Sequence, residues 1–197
     1  MARRLGAMIA AVVPAVAGWL AGGAHAEIPP PGANARAASA TCPGASLLPT
    51  PSNARAVDAA TLCLIDHIRA SHHLRPLRRN RELGSVAASQ LGAMVHWNYF
   101  ADVRPSGLTP MALVSATRYP AHAARYAVGQ NIGWGSGGYA TPASIVAAWM
   151  SSPPHRRLIL TAAYRDAGAA ASASVPSVLG TGGVAAIYAL EFGNRLP

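Results

Sequence analysis

The spacing of apolar residues predicts helices in the first two thirds of the chain and strands at its end. Val57, Ala60, Leu64 and Ile68 lie on one stripe at helical spacing. They predict a helix to about Ser71, with Ser52 or Asn53 as its cap. Leu74 to Leu77 reads as an extended connector. Leu83, Val86, Ala87, Leu91 and Met94 form the buried stripe of a second helix, from about Glu82 to Asn98. Phe100 is expected to pack beneath the fold, and Asp102 to face outward from the turn. Thr109-Pro110 opens a third helix to about Thr117, which Arg118-Tyr119-Pro120 ends because the residue before a proline disfavours the helical region. Residues 121 to 128 have no clear period.

The densest phrase follows. Gly129 to Ile132 reads as a turn and a short strand, and Gly133 to Gly138 is rich in glycine. Thr141-Pro142 opens a helix that reaches Trp149, with Thr as cap and Pro at the first helical position. Ser151 to Pro154 breaks it, and a second short helix carries His155 in its first turn. Two strand-like runs, Asp166 to Val175 and Val184 to Phe192, flank a Gly180–Gly183 turn. Helices early and strands late predict an α+β domain with an antiparallel sheet covered by helices.

Residues 1 to 26 carry the marks of a secretory signal. Arg3-Arg4 precede the apolar run Leu5–Leu20, and Ala24-His25-Ala26 offers a small-residue cleavage site. The rival reading is a retained anchor; Pro14 and the A-x-A ending argue for cleavage, with no stable membrane insertion afterwards. Residues 27 to 53 read as a Pro/Ala-rich linker and N-terminal arm, and 54 to 195 as the folded domain. Export, to the outside or the cell envelope, permits a disulfide between the two cysteines, Cys42 and Cys63. Two free thiols or an intermolecular bond are the alternatives. An internal bridge would pin the arm to the first helix and contribute about 3 kcal/mol in the chain-entropy picture.

The formal charge is +9 and no basic residue is a lysine. Arg75, Arg78, Arg79 and Arg81 form a basic cluster that reads first as a solvated face and second as a surface for anionic envelope polymers. It lacks the interleaved aromatics that stack bases, so no nucleic-acid partner is expected. His67, His72 and His73 read as surface histidines, because no carboxylate sits three or four residues away.

Five phrases in order resemble the CAP superfamily (cysteine-rich secretory, antigen 5 and pathogenesis-related proteins, or SCP domains), in its bacterial secreted branch. Leu62 to Arg69 is similar to the family's opening helix phrase. Leu74-Arg75-Pro76-Leu77 with Asn80 and Leu83 resembles "glxPLxxnxxL", and Tyr99-Phe100 resembles "yFsH". Gly129 to Ile132 resembles "GENI", and Trp149 to Leu160 resembles "WmnSpgHRanIL". Gly168 and Phe192-Gly193 fall where the last two strands do. The resemblance implies a three-layer α-β-α sandwich with a small, mainly antiparallel central sheet. It also implies a polar cleft where, in many members, two histidines and one or two glutamates meet and some bind a divalent metal. Here the first histidine position holds Asp102, the "GENI" glutamate is Gln130, and Ser152 stands at the second acidic position, leaving His155.

Asp102, Gln130, Ser152 and His155 are therefore the cleft candidates, and their convergence rests on the resemblance. His155 with Asp102 supplies two metal ligands at most, and His96 is a weak replacement, so no metal or other cofactor is expected. The leading function is a non-catalytic secreted domain whose cleft binds a small or apolar ligand or an envelope component. The alternative is a peptidase-like hydrolase in which Ser152 is the nucleophile, His155 the base and Asp102 the orienting acid.

Overall fold

The structure is a computed structural model that describes residues 41–197. The expected signal segment and most of the linker lie outside the described residues. The helices are α1 (Ala54–Ser71), α2 (Arg81–His96), α3 (Pro110–Ser115), α4 (Pro142–Ser151) and α5 (Pro153–Ile159). The strands are β1 (Arg78–Arg79), β2 (Arg125–Ser136), β3 (Asp166–Ser172) and β4 (Ala185–Leu196). No described helix is long and apolar enough to cross a membrane.

The sheet order is β1-β3-β4-β2. β1 runs parallel to β3, and the β3–β4 and β4–β2 pairs are antiparallel. Every residue of β4 from 185 to 193 is buried. Tyr188, Leu190 and Phe192 pack with Val57, Leu64, Ile145 and Trp149 of α1 and α4. Ile187 and Ala189, pointing the other way, pack with Ala87, Leu91 and Met94 of α2. The sheet is thus the middle layer of an α-β-α sandwich. α2 lies so close to β3 that a Cβ on Gly168 would overlap the backbone of Leu83 and Gly84.

Three helices begin with a side-chain cap. Asn80, Thr109 and Thr141 accept hydrogen bonds from Leu83 N (3.1 Å), Ala112 N (3.2 Å) and Ser144 N (3.3 Å). Asn53 occupies the cap position of α1, but its side chain turns back to Thr50 N (2.8 Å) and Leu48 O (2.9 Å). β2 is longer than the short strand expected, because all twelve of its residues find partners on β4. That pairing extends order into the glycine run. β1, two residues long, leaves no periodic signal at all.

Cys42 and Cys63 form a disulfide, so the arm is fixed to α1. Arg69 is a second tie. Its side chain is fully buried and donates to four carbonyls: Arg75 O (3.0 Å), Ile159 O (2.7 Å), Thr161 O (3.1 Å) and Tyr164 O (3.4 Å). These carbonyls belong to the connector after α1, the end of α5 and the connector that follows α5, and no other side chain is bonded to them all. Replacing the guanidinium by an apolar chain strands Arg75 O and Ile159 O, whereas Thr161 O keeps the Tyr164 N–H (3.3 Å) and Tyr164 O keeps an Arg165 Nη (3.1 Å). Arg69→Met is expected to lower the free energy of unfolding by about 3 kcal/mol in urea titrations, and a loss below about 1 kcal/mol would contradict this role.

Candidate functional site

The candidate site is built on β2. Its odd residues face α4 and α5, and its even residues face α2. On the first side Gly133 lies against the Trp149 ring, whose Nε1 donates to Ile132 O (2.9 Å). Asn131 Nδ2 donates to the His155 carbonyl (3.2 Å). On the second side come Val128, Gln130, Ile132 and Trp134. They grade from buried Val128 and Gln130 through half-buried Ile132 to Trp134, which is 42% exposed.

Gln130 sits opposite Glu191 in the β2–β4 register. Its Nε2 donates to Glu191 Oε1 at 2.5 Å. Glu191 is fully buried, and burial is the main reason its pKa is pushed up to about 8; the Gln130 bond opposes this and the Asp102 charge adds to it. At neutral pH the carboxyl is therefore mostly protonated. Gln130 Oε1 and Glu191 Oε2 are both buried with no hydrogen-bond partner.

Asp102 does not face outward, as the sequence suggested. Asp102 is half-buried, and burial raises its pKa to about 6. The cause is Gln90 on α2, fully buried, whose Nε2 donates to Ala101 O (2.9 Å) and Asp102 O (3.1 Å). Arg104 Nε in turn donates to Gln90 Oε1 (3.0 Å) and an Arg104 Nη to Ser89 Oγ (2.8 Å). This clamp folds the loop inward, so that Asp102 acts on Glu191 electrostatically.

Gln130 and Glu191 are thus bonded to each other, and Asp102 acts on Glu191 through its charge. Glu191 escaped the sequence reading. Its one signal is a lone carboxylate inside the apolar run Ala185 to Phe192. Ser152 is half-buried between α4 and α5, and its side chain caps neither helix. Burial alone lowers the pKa of His155, and burial alone raises that of Asp102. No hydrogen bond among the described residues joins the Ser152 hydroxyl, the His155 ring and the Asp102 carboxyl. His96 is exposed and packs edge-on against Trp97 at 5.8 Å.

The cysteine-rich secretory protein (CAP) family profile matches residues 62–176. The chain belongs to the CAP family. A comparison with curated proteins gives no match. Among solved structures, an extracellular SCP-domain protein of Bacillus anthracis matches with TM-score 0.55 and 19% identity, over 75% of this chain and 44% of that one. An outer surface protein of Borrelia burgdorferi gives 0.55 and 19%, over 68% of this chain and 89% of its own. A cysteine-rich secretory protein of Staphylococcus aureus gives 0.53 and 17%, over 74% of this chain and 40% of its own. These likenesses show the fold. The chain spans less than half of the Bacillus and Staphylococcus chains.

The divalent metal held by some CAP domains needs imidazole and carboxylate donors. In this chain Gln130 is a neutral amide already committed to Glu191, Glu191 holds its own proton, and no carboxylate shifts His155. That donor set does not fit a tight transition-metal site. Elsewhere, ligand-type atoms of Cys42, Cys63 and His67 lie within 4.8 Å of one another, but both sulfurs are in the disulfide and are not thiolates.

The protonation of Glu191 has a thermodynamic signature. Unfolded, the group titrates near 4.5, and folded at about 8. Between these values the unfolded chain has lost a proton that the folded chain keeps. The stability contributed by this group is complete below about 4.5 and is lost as pH rises toward about 8. Glu191→Gln is expected to flatten that part of the decline in Tm between about pH 5 and 8, in melts run side by side with the parent. Parallel melting curves across the range would contradict it.

Proposed function

We propose that this CAP domain is an extracellular, non-catalytic binding protein. Its ligand is a small apolar molecule with one polar head. The observation that carries the reading is the pair of unpartnered oxygens, Gln130 Oε1 and Glu191 Oε2. A protonated Glu191 makes the Gln130–Glu191 pair a donor as well as an acceptor, and the pair itself carries no charge. Such a pair favours a hydroxyl, carbonyl or amide head over an ion. Ile132 and then exposed Trp134 continue the same strand face outward, as a track for an apolar tail.

An extracellular setting is supported by the Bacillus and Borrelia proteins, described as an extracellular and an outer surface protein. A hydrolase reading gains no support from Ser152 and His155, because no orienting carboxylate accompanies the imidazole.

The test is a panel of sterols, fatty alcohols and fatty acids, followed by tryptophan fluorescence. Saturable binding is expected for at least one hydroxylated or carbonyl-bearing apolar compound. Trp134→Ala, at an exposed position, is expected to weaken it about tenfold with no change in Tm. Glu191→Gln should weaken head-group recognition, while Ser152→Ala leaves affinity unchanged. No saturable binding by any member, or full affinity in both the Trp134 and Glu191 variants, would remove the proposal.

A further inference from the structure

The charges of the described domain are sorted by depth. Ten arginine side chains are exposed, and no Asp or Glu side chain is. Asp166 is buried where Tyr119 Oη donates to it at 2.9 Å, and it pairs with Arg78 (2.9 Å) and more loosely with Arg195 (3.8 Å). Asp66 is spent on Leu77 N at 2.8 Å. The fully exposed charges of the described residues are therefore arginines, with Asp58, Asp66, Glu82 and Asp102 only partly exposed.

On one side these cations line a path. β1 is the outer edge of the sheet, and its Arg78 and Arg79 side chains are exposed. Arg79 and Arg81 border a cavity of about 390 Å³, whose floor is Gly168 to Ala170 of β3. Arg81 also borders a second cavity, of about 610 Å³, with Ser85 of α2 and Arg118 beyond α3. Asp58 stands on the first wall and Glu82 on the second, each only partly exposed. The two cavities therefore share one arginine and place Arg79, Arg81 and Arg118 in succession. Arg118 is 37 residues from Arg81 in the chain (118 − 81), so only the fold joins them.

We infer that this edge of the sheet is a docking surface for a linear phosphate-bearing polyanion. A row of guanidinium forks matches anions repeated along a chain, and arginine pairs bidentately with phosphate. No aromatic side chain lines either cavity, so nothing is offered for bases to stack on. Displacement of counterions from the polymer by the arginines drives the binding. The surface is formed by residues outside the Asp102–Gln130–Glu191 site and is independent of the ligand proposed there.

The experiment measures fluorescence anisotropy of labelled inorganic polyphosphate, titrated with the full chain at several salt concentrations. Binding is expected at low salt and is expected to weaken steeply as salt rises. The combined variant Arg79→Ala, Arg81→Ala, Arg118→Ala should lose about tenfold in affinity, and its log–log salt slope should fall by about two to three. The control Arg156→Ala, Arg157→Ala removes two exposed arginines from α5 and should stay within about twofold of the parent. Arg118→Glu alone, outside any helix or strand, gives a second reading should the triple variant unfold; it should also weaken binding. An equal loss in the α5 control, undiminished binding in the Arg118→Glu and triple variants, or tighter binding of single-stranded DNA of equal charge would overturn the inference.

Discussion

Burial of β4 on both faces is the constraint that the remaining structure answers to. One helical layer covers Tyr188, Leu190 and Phe192, and the other covers Ile187 and Ala189. A central strand in that position has no water to solvate a charge. Glu191 nevertheless belongs to it. The fold accommodates the carboxyl by keeping its proton and by setting Gln130 across from it on β2. A glutamate at position 130 would place a second carboxyl against the first with no cation beside them. The amide there makes the pair neutral, and a neutral pair suits hydrogen-bond recognition better than metal binding.

The helices and their limits were legible because each buries one stripe and three of them begin with a capping side chain that forms its bond. The family phrases were legible for a related reason: Gly133 beneath Trp149, and Asn131 bound to the His155 carbonyl, are local fits between a strand and the helices that follow it. What the sequence hid lies in contacts between distant residues. Asp102 looked like an exposed turn residue, and the Gln90 amide, on the preceding helix, turns it inward. Arg69 looked like the tail of α1, and the carbonyls that claim it lie about ninety residues on. Glu191 was hidden by its company. A strand buried on both faces reads as a continuous apolar run, so alternation gives no hint of where its single acid points.

The same partition of charge governs the surface. Carboxylates are drawn inward by backbone donors, by Tyr119 and by Gln130, whereas all but a few arginines stay in water. The exterior therefore keeps an excess of positive charge, which Asp166, Asp58 and Glu82 offset only in part. Two surfaces of opposite character result: a neutral polar pair at the root of an apolar strand face, and an arginine-lined edge across the sheet.

The central claim is that Glu191 is a neutral acid in the folded protein. A carbon-13 NMR titration of the Glu191 side-chain carboxyl tests it directly, with Glu191→Gln to assign the resonance. A midpoint of about 8 is expected in the folded chain. A midpoint near the ordinary 4.5 would mean that the buried group is ionised at neutral pH, and the neutral-pair account of the site would be wrong.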